Sequence, residues 1–264
     1  MRKKHFLGVA IIVMGLSPVL FFGGKKAYHD AQEARKKDDR YLITSITQTG
    51  LDQKALKTDY LAYLLDLSKD KPTNLYAFDL KEGNKKLLAC PVIKEAFLKR
   101  VPPDTLYVDY TLRQPLAMVV DFENMAIDDE GRLFPFSPFF SPKNLPEVRF
   151  GLTEFPGWDK PLIGFPLIVE MIPLLEHHGL CPLLIDVAQI EAPSLGKRQV
   201  IVRLENHLLR LTPDQYPQQL GNYLEFLSEL KLQEAETGAT LKVIDLRLPK
   251  MAYVDDTDRM ELKK

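Results

Sequence analysis

A strand-like alternation bracketed by prolines is the feature that most constrains the fold of this chain. It lies between Lys99 and Val119, where apolar and polar side chains alternate with the period of two that a half-buried strand requires. Proline cannot donate to a sheet ladder, so Pro102 and Pro103 before the strand and Pro115 after it mark its ends. One face carries Leu106, Val108, Tyr110 and Leu112, and the other carries Tyr107, Asp109, Thr111 and Arg113. The stretch specifies a strand but holds no group arranged for chemistry.

The composition is that of an ordinary globular protein. The chain has 264 residues, of which 45% are hydrophobic and 27% charged, with a formal net charge of -1. Disorder of the whole chain is not expected from such a composition. A nearly neutral chain without a zinc-finger, helix-turn-helix or RNA-binding motif is not expected to bind nucleic acid.

The N-terminus carries an uncharged apolar stretch. After the basic residues 1–5, residues 6–24 would form a helix about 28 Å long, close to the roughly 30 Å thickness of a bilayer core. We expect an uncleaved membrane anchor, because the stretch is longer than the apolar region of a signal peptide, although a signal peptide is the alternative. Lysines and arginines flank both ends, so charge alone leaves the orientation open. The anchor residues are Phe6, Leu7, Ile11, Ile12, Val13, Leu16, Val19, Leu20, Phe21 and Phe22.

A charge-dense stalk, residues 25–40, and two folded units follow the expected anchor. The first unit, 41–120, shows the order strand, helix, helix, strand, strand, with Asp79 as the cap of its second helix and the last strand running from Thr105 to Val120. This order predicts a compact α+β module.

The second unit, 121–254, is expected to be rich in strands with flanking helices. Short strands surround an acidic turn between Met125 and Phe134, and a hairpin turns around Asn206. Thr212 is a predicted cap for a long helix, Leu183–Ile190 a predicted strand, and a last strand, Leu241–Leu248, precedes a charged tail, 255–264.

Candidate catalytic and metal-binding residues are few. His177 and His178 are adjacent at a helix end, and neighbouring helical positions do not share a face, so they are poor joint metal ligands. His207 falls in the predicted hairpin turn, and Trp158 is expected to pack locally. The acidic run from Asp128 through Asp129 to Glu130 could suggest a cation site, but an acidic turn before a glycine is the more common structure. We expect no enzyme, no cofactor and no metal.

The two cysteines, Cys90 and Cys181, each precede a proline and have no partner at metal-ligand spacing. We expect isolated buried thiols, with a disulfide as the alternative in an exported domain.

The last predicted strand is a candidate for recognition through a sheet edge. An exposed edge presents unpaired backbone groups that can accept a strand from a partner. The sequence leaves open whether Leu241–Leu248 is such an edge or an interior strand.

Several segments in a fixed order resemble the FtsQ/DivIB proteins of bacterial cell division. The similar segments are Ile43–Gly50, Pro91–Leu106 with the pattern P-V-I-K-E-A-F-L-K-R-V-P-P-D-T-L, Arg113–Ala117, Ile127–Phe134, Val200–Leu211 and Asp245–Arg247. The resemblance implies a single N-terminal transmembrane helix, a POTRA-like βααββ domain and an antiparallel β-rich domain outside the cytoplasmic membrane.

The resemblance also implies a function. It indicates a non-enzymatic scaffold of the division machinery at the septum, a single-pass protein of the inner membrane with its N-terminus inside. Its partners would be other divisome membrane proteins and small FtsB- and FtsL-like proteins that add a strand beside the last strand. The residues nominated for partner binding are Lys242, Val243, Ile244, Asp245, Leu246, Arg247, Leu248, Met251 and Tyr253. The alternatives are a POTRA-containing export or outer-membrane assembly factor and an anchored extracytoplasmic hydrolase acting through His177 or Asp128.

Overall fold

The computed structural model divides the chain into two compact units, Met1–Leu112 and Arg113–Lys264. This boundary lies earlier than the expected one between residues 120 and 121. The residues that the structure describes are 28–49, 55–141, 144–158, 160, 162–237, 241–248 and 251–256.

Among its described residues, the first unit has a three-stranded sheet with helices on one face. Its elements are α1 (residues 28–36), β1 (Ser45–Thr49), α2 (Thr58–Leu64), α3 (Leu80–Leu88), β2 (Ile93–Val101) and β3 (Thr105–Leu112). The strand order is β1-β3-β2, with β1 parallel and β2 antiparallel to β3. After α1, the strand, helix, helix, strand, strand order is the one expected from the sequence.

Local signals in the sequence account for these elements. Asp79 caps α3 as expected, since its carboxylate accepts hydrogen bonds from the backbone N–H groups of Lys81 and Glu82. The alternation along β3 buries Leu106, Val108 and Tyr110. The prediction of one strand from Thr105 to Val120 was wrong in its second half. β3 ends at residue 112, and the next strand belongs to the sheet of the second unit.

The expected stalk, residues 25–40, is fastened to the first unit over its described C-terminal part. The buried Asn74 side chain donates from Nδ2 to the carbonyls of Arg35 and Asp38, each at 3.0 Å. The Arg35 guanidinium lies over the Tyr76 ring, 5.2 Å from its centroid. Residues 35–40 are thus part of a folded unit rather than a free linker.

In the part of the second unit that the structure describes, nine strands form one sheet and two helices pack on it. Its elements are β4 (Ala117–Val119), β5 (Met125–Ile127), β6 (Leu133–Pro135), β7 (Glu147–Arg149), α4 (Phe165–His177), β8 (Leu184–Asp186), β9 (Val200–Arg203), β10 (His207–Leu211), α5 (Tyr216–Thr237), β11 (Lys242–Asp245) and β12 (Tyr253–Asp256). The strand order is β12-β11-β10-β9-β8-β7-β4-β5-β6.

This sheet is mixed, which corrects the expectation of an antiparallel domain. β4 and β7, β7 and β8, and β10 and β11 pair in parallel. For the β7–β8 and β10–β11 pairs the reason is a helical connection, since α4 joins β7 to β8 and α5 joins β10 to β11. A helical crossover carries the chain back to the end at which the previous strand began, so the next strand runs parallel to it.

Two of the predicted elements of this unit have different bounds in the structure. The strand expected at Leu183–Ile190 is only the three residues of β8. The helix expected to be capped by Thr212 begins four residues later, at Tyr216. Thr212 instead exchanges two hydrogen bonds with Gln219, whose Oε1 accepts from the Thr212 backbone N–H and whose Nε2 donates to its hydroxyl. Residues 213–215 form a turn that separates Thr212 from the start of the helix.

The core of the second unit lies between one face of the sheet and the two helices. α4 and α5 contribute buried side chains that pack on the central strands. The main members of this layer are Val148, Ile168, Met171, Ile172, Leu175, Ile185, Val202, Leu209, Leu220, Tyr223 and Ile244.

The expected membrane anchor, with its ten residues between Phe6 and Phe22, lies outside the described residues. Among residues 28–256 as described, no helix is long and apolar enough to cross a bilayer. The fold class that included a membrane-spanning helix is therefore corrected to two α+β units, the second built on a mixed sheet.

Candidate functional site

The strand nominated for partner binding is an interior strand. β11 pairs in parallel with β10 and antiparallel with β12, so both of its edges carry ladder partners. Lys242, Val243 and Ile244 are buried, as is Leu246 just beyond the strand. In this arrangement β12 already occupies the position beside β11 that an added partner strand would take.

The edge of the sheet is β12. It pairs with β11 through four residue pairs, Lys242 with Asp256 through Asp245 with Tyr253, and no other described strand lies on its outer side. Its backbone groups on that side are open to a further strand. Of the nominated residues, Met251 and Tyr253 lie at this edge and are more than half exposed, as is Leu248.

An apolar groove of about 510 Å³ runs beside this edge, between β12 and α5. The sheet ends at β12, so the layer of apolar side chains between sheet and helix is left open there. Val254 points into this layer, since its register partner Ile244 belongs to the core, yet Val254 is 43% exposed. The groove is lined by Tyr223, Phe226, Glu229, Leu230, Ile244, Ala252 and Val254.

Hydrogen bonds hold the helical wall of the groove in place. Tyr223 of α5 lies with its hydroxyl oxygen 2.6 Å from Nδ1 of the buried His207, at the start of β10. Further along the chain, the backbone N–H of Lys242 donates to the carbonyl of Asn206, which joins β11 to the same hairpin turn. His207, which the sequence placed in a turn without a role, therefore fixes α5 against the sheet.

The opposite face of the sheet at this edge is charged. Asp245 accepts from Arg247 at 2.6 and 2.9 Å and lies 3.7 Å from the Arg210 guanidinium. Burial acts to raise the pKa of Asp245, but the hydrogen bonds from Arg247 and the two positive charges outweigh it, so this pKa is lowered. Arg247 also donates to the carbonyl of Gly196. Tyr253 lies on the same face, beside Asp245.

The residues considered for catalysis are not gathered into one site. Asp128 is fully buried at the turn between β5 and β6, where it accepts from Arg113 at 2.7 Å and from two backbone N–H groups. Through these three hydrogen bonds Asp128 stabilises the acidic turn. Asp129 and Glu130 are exposed in that turn, while His177 and His178 are exposed at the end of α4. Within the described ranges, no three His, Cys, Asp or Glu side chains are placed to hold a metal ion.

The remaining candidates have separate surroundings. Trp158 packs edge-on against Phe155, with ring centroids 4.8 Å apart, and is 43% exposed. The two cysteines are free thiols, Cys90 buried and Cys181 exposed. The expectation that both thiols are buried is therefore wrong for Cys181.

No protein-family model matches the chain, and no curated protein is significantly similar to it.

Proposed function

We propose that this protein is a non-enzymatic scaffold of the bacterial division machinery that binds small partner proteins by strand addition at β12. The observation that carries the proposal is the open edge of β12 beside the apolar groove. The order of family-like segments along the chain supplies the division context. In this proposal the protein acts at the division site, with its two units outside the cytoplasm.

The geometry of the edge supports an extended peptide as the ligand. A strand that pairs with β12 satisfies its open backbone groups, and every second side chain then points toward α5. Those side chains would cover Phe226, Leu230 and Val254, of which Phe226 and Val254 are more than 40% exposed. Side chains on the other face would meet Tyr253 and the ion pair of Asp245 with Arg247. The partner segment is therefore a short strand with apolar residues at alternate positions.

The proposal moves the binding position by one strand relative to the sequence-based nomination. Met251 and Tyr253 stay in the contact surface. The buried residues of the neighbouring segment support β12 from its paired side; they are Lys242, Val243, Ile244 and Leu246. Asp245 and Arg247 border it, and Leu248 is exposed at the end of the described segment 241–248.

The test uses one substitution at the edge and a matched substitution elsewhere in the sheet. Val254→Asp places a charge in the groove, whereas Val120→Asp places the same charge at a valine of nearly equal exposure, 42% against 43%, next to β4. We expect Val254→Asp to weaken binding of the organism's own FtsB- and FtsL-like proteins at least about tenfold and to abolish their recruitment to the septum. Val120→Asp should change neither.

Point substitutions are preferable to removal of residues 251–256. Without β12, the edge of β11 becomes open and can accept the same strand. Protection of the β12 amides from hydrogen exchange when the partner is added would support strand addition at this edge. Unchanged partner affinity in a folded Val254→Asp protein, or no protection of β12, would rule out strand addition at this edge.

A further inference from the structure

The first unit has an open edge of its own, on β2. This strand of nine residues pairs with β3 on one side, and no other described strand pairs with it on the other. Its central residue, Phe97, is 58% exposed on the face of the sheet turned away from α3, while its neighbour Leu98 is buried. A large apolar side chain at the centre of an open edge is a feature that water-exposed edges usually avoid.

The sequence of β2 is complementary to itself when it is read in the antiparallel direction. If Phe97 is placed opposite Phe97 of a second copy, Glu95 falls opposite Lys99 and Lys99 opposite Glu95. All three side chains lie on the same face, because they are two residues apart. Two side chains of opposite charge stabilise an antiparallel pair when they lie directly across from each other, and so do two aromatic side chains. Glu95 and Lys99 are both exposed and form no ion pair with another described residue.

The other face of β2 does not oppose this pairing. There Ala96 falls opposite Leu98 of the second copy, and both are small or apolar. Arg100 turns into its own unit, where its guanidinium donates to the carbonyls of Leu75 and Phe78, both at 2.7 Å. The irregularity between Ile93 and Glu95 ends the regular ladder, so the complementary stretch is Glu95–Lys99.

We propose that two copies of this chain associate through antiparallel pairing of their β2 strands, with the twofold axis at Phe97. The two three-stranded sheets then form one sheet of six strands, and two ion pairs of Glu95 with Lys99 flank the pair of phenylalanines. A twofold axis makes every contact occur twice, which is the usual symmetry of homodimers. This surface lies in the first unit, so the inference does not depend on strand addition at β12.

The decisive experiment is a charge swap in the full chain, followed by sedimentation over a range of concentrations. Glu95→Lys and Lys99→Glu should each weaken dimerisation about tenfold or more, because each change replaces two attractive pairs with two repulsive ones. The double variant Glu95→Lys with Lys99→Glu restores both ion pairs and should return the dimerisation constant to within about threefold of the original. Thr47→Lys is the matched control. It adds a charge to the same face at the opposite edge, on β1, and should leave dimerisation unchanged.

A second measurement tests the position of the axis. In a Cys181→Ser background, Phe97→Cys should form a disulfide-linked dimer under mild oxidation, since directly opposed residues have Cα atoms about 4.5–5.5 Å apart. Thr47→Cys should not. The proposal is overturned if the unmodified chain stays monomeric, or if the folded double variant does not recover dimerisation. It is also overturned if Phe97→Cys crosslinks no better than Thr47→Cys, or if β2 binds a different protein instead of its copy.

Discussion

β11 and β12 lie side by side in the same sheet, yet they are suited to different tasks. β11 has a ladder partner on each side and buries Val243 and Ile244, whereas β12 has one partner and exposes Tyr253 and Val254. The sequence-based nomination favoured β11 because it was the last predicted strand, beside which the family resemblance implies that a partner strand adds. High apolar content indicates a strand that stabilises the fold, while the plainer strand beside it carries the open edge. A partner site on a sheet is therefore better sought at the last paired strand than at the most strand-like sequence.

Truncations at facing positions of β11 and β12 should differ most in their effect on stability. Ile244 is 1% exposed, and its register partner Val254 is 43% exposed. Ile244→Ala should lower the free energy of unfolding by about 2–5 kcal/mol through lost burial and a cavity, and Val254→Ala by less than about 1 kcal/mol. Denaturant unfolding measures both. Equal losses would show that the two strands contribute alike to stability.

Hydrogen exchange should separate the strands next. Amides of β11 lie between two paired strands, whereas part of the β12 amides face the open side. We expect the slowest β12 amides to exchange at least about tenfold faster than those of β11, because an edge strand opens locally without the whole unit unfolding. Exchange of the two strands at one common rate would contradict this and would mean that they open together.

A smaller effect concerns the second facing pair, Asp245 and Tyr253. The folded-state pKa of Asp245 lies below the ordinary value of 3.8, so its contribution to stability is present above about pH 4 and is lost as the pH falls through the folded pKa. Asp245→Asn should therefore cost about 1 kcal/mol at neutral pH and almost nothing at strongly acid pH. Tyr253→Phe serves as the control without pH dependence. A pH-independent loss for Asp245→Asn would place the effect in packing rather than in the ion pair with Arg247.

The smallest effect on stability is expected at the exposed side chain of the edge. Tyr253→Ser should change the free energy of unfolding by less than about 0.5 kcal/mol, because Tyr253 is 61% exposed. Binding of a partner strand should nevertheless weaken, since aromatic side chains contribute strongly to buried interfaces. Thermal unfolding and partner affinity measured on the same preparation test both halves. A large loss of stability would show that Tyr253 belongs to the core.

Sequence patterns predicted the elements whose signals are local. The cap at Asp79, the hairpin around Asn206 and the turn at Asp128 are each specified by neighbouring residues, and each is found in the structure. The direction of strand pairing was also within reach, because the predicted order of strand, long helix and strand around α5 calls for a parallel pair.

The position of the sheet edge could not be predicted in the same way. β12 has only four residues and follows Pro249, and its last two residues were assigned to the charged tail. Whether a strand has one partner or two depends on pairing between residues far apart in the sequence, which periodicity does not report. A usable signal was the alternation of Met251 and Tyr253 with Ala252 and Val254, although so short a pattern is also common in loops.

The side chain of Asn74 has a mechanical consequence. Its amide donates to the last turn of α1 and to the loop after it, and its carbonyl oxygen accepts from the backbone N–H groups of Tyr76 and Ala77. One side chain thus joins α1 to the turn that precedes α3, with both of its donors and its acceptor engaged. A force applied to α1 is therefore passed through Asn74 to the folded first unit and is not absorbed by a flexible connection.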